Sequence, residues 1–158
     1  MNFHEQKCQE PSRTEEEFGI KDGEIAYSTL ADPESWIATV KNTSDLPATL
    51  TAIDGCVILG EELLGIRRCD CMLTTSEHLY LIELKDENKH WKTGAIAQLI
   101  STIKLYIDTH GRGSFKHRKA FACNRQFPRF QEVDHELNLL MFRKYGFRID
   151  AQATIVVI

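Results

Sequence analysis

Residues 78–85 read HLYLIELK, and this stretch decides the fold. Successive side chains of a strand point to opposite faces, so Leu79, Leu81, Glu83 and Lys85 share one face and Tyr80, Ile82 and Leu84 the other. A strand that is apolar on both faces belongs in the middle of a sheet covered on both sides. Glu83 and Lys85 therefore close a buried element while pointing the same way. Burying a carboxylate or an ammonium is costly unless an opposite charge, hydrogen bonds or a metal accompanies it.

Working outward, residues 68–74 read as a preceding strand, with Thr75-Ser76-Glu77 as the polar turn between them. A short hairpin of this kind sets Asp70 beside Glu83. The one-residue gap between Cys69 and Cys71 sends both thiols to one side of the strand and Asp70 to the other. Further upstream, residues 48–53 are β-branched and apolar, Asp54-Gly55 is a hairpin dipeptide and residues 56–59 are apolar again, so two antiparallel strands are expected, followed by a turn over 60–65. Asp32-Pro33 has the form of a helix start, with Trp36, Ile37 and Val40 at helical spacing over 34–40. Residues 1–23 show almost no apolar periodicity and read as a mobile or weakly ordered arm.

Downstream, Trp91, Ile96, Leu99, Ile100, Ile103, Leu105 and Ile107 recur mostly at three- and four-residue intervals, which predicts a helix over 90–109 stopped at Gly111. Residues 119–123 read as a strand, 128–145 as a helix stopped by Gly146, and 153–158 as a closing strand. The expected fold is α/β, one domain over 24–158, with a mixed central sheet flanked by helices.

The chain has 158 residues, 42% of them hydrophobic and 27% charged, in keeping with one folded domain. No run reaches the roughly 18 apolar residues of a membrane helix, and the polar start lacks the pattern of a signal peptide, so a soluble cytoplasmic protein with no membrane partner is expected. Five cysteines, an odd number, point to a reducing compartment and to thiols used as small buried hydrophobes. Zinc is disfavoured, because its structural sites use knuckles with two to four intervening residues. The six histidines form no HxH or HExxH pattern.

Charge is unevenly distributed. Residues 1–40 hold three Lys or Arg against nine Asp or Glu, whereas residues 111–148 hold nine against three. Within the basic block, Lys116, Arg118, Lys119 and Arg125 alternate with Phe121, Phe127 and Phe130, a pattern that suits a nucleic-acid groove and equally suits a solvated strand and loop over a core. Arg67 and Arg68 flank Asp70 and are placed either to hold a phosphate or to pair with Glu61 and Glu62. Asp54 is explained by its turn, with a minor role as an extra acidic ligand.

Two carboxylates from Asp70 and Glu83, with the backbone carbonyl of Leu84, form the hard oxygen set that Mg²⁺ or Mn²⁺ prefers. Lys85 would not be a ligand. Its ammonium would activate an attacking water while the metal offsets charge growing on a phosphoryl oxygen.

At these residues the sequence resembles the PD-(D/E)xK nuclease superfamily. Cys69-Asp70 stands where that superfamily has Pro-Asp, and Glu83-Leu84-Lys85 stands as its ExK tripeptide, over about residues 48–106. The resemblance implies a restriction-endonuclease-like core, Asp70, Glu83 and Lys85 as catalytic residues, and Gln98 on the following helix as a supporting group, with Thr102 on the same face. It also implies an acid from an N-terminal helix, for which Glu34 and then Glu24 are the nearest candidates. The expected activity is Mg²⁺-dependent cleavage of DNA, with Arg67, Arg68, Lys116, Arg118, Lys119 and Arg125 on the backbone. For so small a chain, a homodimer or a larger protein partner is expected. The competing expectation is a catalytically inactive nuclease-fold module that acts through protein contacts, as a regulatory or antitoxin-like subunit would.

Overall fold

A computed structural model describes residues 1–60 and 66–158. The chain builds β1 (Glu17–Asp22), β2 (Ala26–Thr29), β3 (Ala38–Asn42), β4 (Thr49–Ala52), β5 (Cys71–Thr74), β6 (His78–Lys85), α1 (Lys92–His110), β7 (His117–Asn124), α2 (His135–Tyr145), β8 (Arg148–Ala151) and β9 (Thr154–Val157). It is a mixed α/β fold with two sheets. One sheet runs β4-β5-β6-β7-β8 and the other β2-β1-β3-β9.

Strand β6 is central, antiparallel to β5 and parallel to β7, and only its last residue is not fully buried. Its two apolar faces serve two cores. Leu79 and Leu81 pack with Leu99, Ile103 and Tyr106 of α1 and Met141 of α2, while Tyr80, Ile82 and Leu84 pack with Phe18, Ile20, Val40 and Ile155 of the second sheet. The expected single sheet flanked by helices is therefore corrected in one respect: both helices lie on one face, and the other is covered by a sheet. The period-two pattern of β6 required two covers without specifying their kind.

Three further expectations differ from the structure. Residues 34–40 form no helix: Pro33–Ser35 make one 3₁₀ turn, Asp32 takes a left-handed conformation (φ 52°) with no capping bond, and β3 follows with Ala38, Val40 and Asn42 inward. Residues 56–59 form no second hairpin strand, because Gly55 (φ 86°) turns the chain so that Ile53, Val57 and Ile58 enter the helix-side core. The helix expected over 128–145 starts at His135, where Asp134 accepts from the N–H groups of Glu136 and Leu137. Strand β8 was not anticipated. The turn expected over 60–65, with Glu61 and Glu62, falls almost wholly outside the described residues.

Residues 1–23, expected to be an arm, are built in. Phe3 is fully buried, Gln9 and Arg13 bridge to the free edge of β4 at Thr51 and Ala48, and β1 pairs with both β2 and β3. Few apolar residues occur there, but Phe3, Cys8, Phe18 and Ile20 each reach a core. Cys8 is disulfide-bonded to Cys56, against the expectation of reduced thiols throughout; packing the N-terminal segment along the sheet brings together two cysteines 48 residues apart. The other three cysteines are free and buried.

Candidate active site

The site forms at the carboxyl end of β6. Cys71 pairs with Ile82, so the antiparallel register carries Asp70 opposite Glu83, and the Asp70 N–H donates to the Ile82 carbonyl at 3.1 Å. Strand β5 begins only at Cys71. As a result the two thiols do not share a face: Cys69 packs in the helix-side core and Cys71 between the sheets. This corrects the period-two reading of 69–71, and it leaves Asp70 half-buried at the sheet end with Oδ2 accepting from the Leu84 N–H at 2.7 Å.

Glu83 is 2% exposed, and its Oε2 pairs with the Lys85 ammonium at 3.2 Å. Its Oε1 is buried without a donor. The carboxyls of Asp70 and Glu83 lie within hydrogen-bonding range of each other, and two acceptors can bond only when one carries a proton. Burial and the Asp70 charge push the Glu83 carboxyl up to about 9, against the pull of Lys85. Burial likewise pushes Asp70 up to about 6, opposed by the Leu84 N–H and reinforced by the charge of Asp22. Near neutral pH the pair thus holds one proton between its two oxygen sets.

Asp22, at the end of β1, is the acid that sequence reasoning missed. Its carboxyl is raised by partial burial and by Asp54, and it feels the charge of Lys85. Glu34 and Glu24, the expected contributors, lie on the 3₁₀ turn and in the β1–β2 connection. Asp22 was hidden because the segment carrying it was read as an arm; a finer reading of Phe18 and Ile20 as an alternating pair would have exposed the strand. Asp54 is exposed and accepts from Arg68 Nε at 2.9 Å, the pairing taken in place of a bare turn role.

Gln98 and Thr102 share a face of α1 and brace the chain just before Asp70. Gln98 Nε2 donates to the Arg68 carbonyl at 3.4 Å, Thr102 Oγ1 accepts from the Cys69 N–H at 2.7 Å, and the Thr102 hydroxyl donates to the Gln98 carbonyl at 2.8 Å. Both residues position Asp70 through backbone.

The six cations do not converge. Arg67 and Arg68 precede Asp70, and Arg125 lies beside Lys85, its N–H donating to the Lys85 carbonyl at 2.9 Å while its side chain pairs with Asp86. Lys116 pairs with Glu77 at the opposite end of β6, Arg118 is spent on the carbonyls of Arg112, Phe115 and Gly146, and Lys119 pairs with Asp150. Of the interleaved phenylalanines, Phe121 is buried in the inter-sheet core, whereas Phe127 and Phe130 are exposed.

Among the described residues no group of three or more His, Cys, Asp or Glu side chains forms a ready metal cage. Mg²⁺ asks for less, since it keeps several waters and is held by one or two carboxylates. The orphaned Glu83 Oε1 and the like-charged pair sharing a proton fit a divalent cation in that proton's place. Leu84 supports this, since its N–H faces Asp70 and its carbonyl lies on the same edge of β6. Compared with known proteins, the chain matches no family model, no curated protein and no solved structure.

Proposed function

We propose that this protein is a metal-dependent nuclease of the PD-(D/E)xK kind that hydrolyses phosphodiester bonds in DNA. The observation that carries the reading is the Asp70–Glu83 carboxyl pair with Lys85 at 3.2 Å, gathered at the carboxyl end of a doubly buried central strand. The order β4-β5-β6 meander, α1, parallel β7 supports it, because it is the order that the resemblance at Asp70 and Glu83-Leu84-Lys85 implies for a restriction-endonuclease-like core.

Asp70, Glu83 and the Leu84 carbonyl would hold Mg²⁺ or Mn²⁺, which supplies Lewis-acid stabilisation of charge on the phosphoryl oxygens. Lys85 places its ammonium beside Glu83, where it orients the attacking water and disfavours its protonated form. Gln98 and Thr102 keep Asp70 in register. The charges of Asp22 and Asp54 act on Asp70 and raise the local negative potential that draws a cation in. Arg67 and Arg68, which precede Asp70, and Arg125, beside Lys85, would meet the nucleic-acid backbone, with salt-sensitive affinity.

No helix among the described residues is long and apolar enough to cross a membrane. A cytoplasmic location and a homodimer or larger protein partner complete the reading. The competing reading is a non-catalytic module working through protein contacts, favoured by the internal engagement of Lys116, Arg118 and Lys119.

The test is cleavage of labelled DNA in Mg²⁺ or Mn²⁺ by wild type, Lys85→Ala and Glu83→Gln, with calorimetric titration of Mn²⁺. Cleavage lost by about 10²-fold or more in Lys85→Ala while Mn²⁺ still binds supports the nuclease. Absence of both Mn²⁺ binding and wild-type cleavage favours the module.

A further inference from the structure

A groove of about 910 Å³ opens between α2 and β8, and neither Asp70 nor Glu83 lines it. Phe130, Leu139 and Phe142 line it, the two rings 62% and 58% exposed. Exposed rings gathered at one groove, unlike scattered surface apolar residues, mark a binding surface.

The backbone of β8 is closed to strand addition. Asn138 of α2 takes both free groups of Ile149, accepting from its N–H and donating to its carbonyl at 2.8 Å each, and the Gln131 N–H fills the Ala151 carbonyl at 2.8 Å. A peptide cannot dock there by extending the sheet, so the occupant is recognised by rings and charge. Of the acids on the groove, Asp150 pairs with Lys119 at 3.4 Å, while Glu132 and Asp134, which caps α2 and keeps its charge, stand against Lys92 and Arg148. Arg148 has no acidic partner among the described residues. Neither has Arg129, which lines an adjoining hollow of about 220 Å³ with Phe127.

Open aromatic faces flanked by unpaired guanidinium groups are complementary to unstacked bases on a phosphate chain. Duplex bases offer no such faces. We propose that this groove binds single-stranded nucleic acid, with bases on Phe130 and Phe142 and phosphates at Arg148 and Arg129. The loop that leaves β7 at Arg125, beside Lys85, leads directly into the groove through Phe127 and Phe130. A strand held there is directed toward Lys85; that last step rests on the nuclease reading, while the binding does not.

The test is fluorescence anisotropy in EDTA with a labelled oligothymidylate about 12 nucleotides long, in the range one such surface covers. Wild type is expected to bind it more tightly than a duplex of equal length. Phe130→Ala and Phe142→Ala each weaken binding about tenfold, and Arg148→Ala weakens it and reduces the salt slope by about one. Circular dichroism confirms that these surface variants fold. Unchanged affinity in the double phenylalanine variant, or preference for duplex, overturns the proposal. So does a wild-type dimer in light scattering that this variant turns into monomer, since a second copy would then fill the groove. Tight single-strand binding without cleavage in Mg²⁺ retires the nuclease reading and leaves the groove standing; cleavage with ring-independent binding does the reverse.

Discussion

Glu83 is the residue on which stability and function pull apart. Its folded-state carboxyl is raised from an ordinary 4.5 to about 9, so the native chain holds this proton more firmly than the unfolded chain does. The contribution is complete below pH 4.5 and is lost as pH rises toward 9. His4, His78 and His110 have lowered values from burial, so they act in the opposite sense and only below 6.5. Between pH 7 and 9 the metal-free protein should therefore lose on the order of 2 kcal/mol, measured as a falling unfolding midpoint in denaturant. Glu83→Gln should flatten that slope and raise stability at pH 8 while losing Mn²⁺ binding. A steep slope surviving in Glu83→Gln would show that the proton sits elsewhere.

Elements fix where these heads point, and α1 does so through one hydroxyl. Thr102→Val keeps the shape but strands the Cys69 N–H, fully buried beside it, at a cost of about 1–3 kcal/mol. Asp70 is the next residue, so weaker Mn²⁺ binding should accompany the stability loss in calorimetry. Strand β1 has its own constraint. A Cβ at Gly19 would run into the Trp36 ring, and Gly19→Ala should cost about 1–3 kcal/mol in chemical unfolding. Where local pattern and tertiary partner agree, the elements were legible: β6 from its two apolar faces, α1 from its repeat and Gly111, the Thr75 turn from its polarity. Residues 34–40 deceived because Trp36 is wanted over Gly19 and Val40 in a strand, and a spacing of four fits helix and strand alike. The site was legible where register alone makes it, at Asp70, Glu83 and Lys85. Asp22 was not, since it arrives from another sheet, and the cations were not, since sequence does not show which are consumed by internal pairs.

At the scale of the molecule, the Cys8–Cys56 bond ties the first segment to the loop after β4. Closing a loop of that length is worth about 4 kcal/mol in the chain-entropy description. A Cys8→Ser, Cys56→Ser variant, or wild type in a dithiol reductant, should melt on the order of 10 °C lower by calorimetry. An unchanged melting temperature would mean that the burial of Phe3 and β1 alone secures the segment, and would suit a reducing compartment. The second sheet carries a different consequence. Its parallel pair β3–β9 joins Thr39 to Thr154 and Asn42 to Val157, so the layer over Tyr80 and Ile82 stays incomplete until β9 has been synthesised. During translation the nascent chain must wait with one oily side of its five-stranded sheet uncovered, which makes this stage the natural point of call for a chaperone.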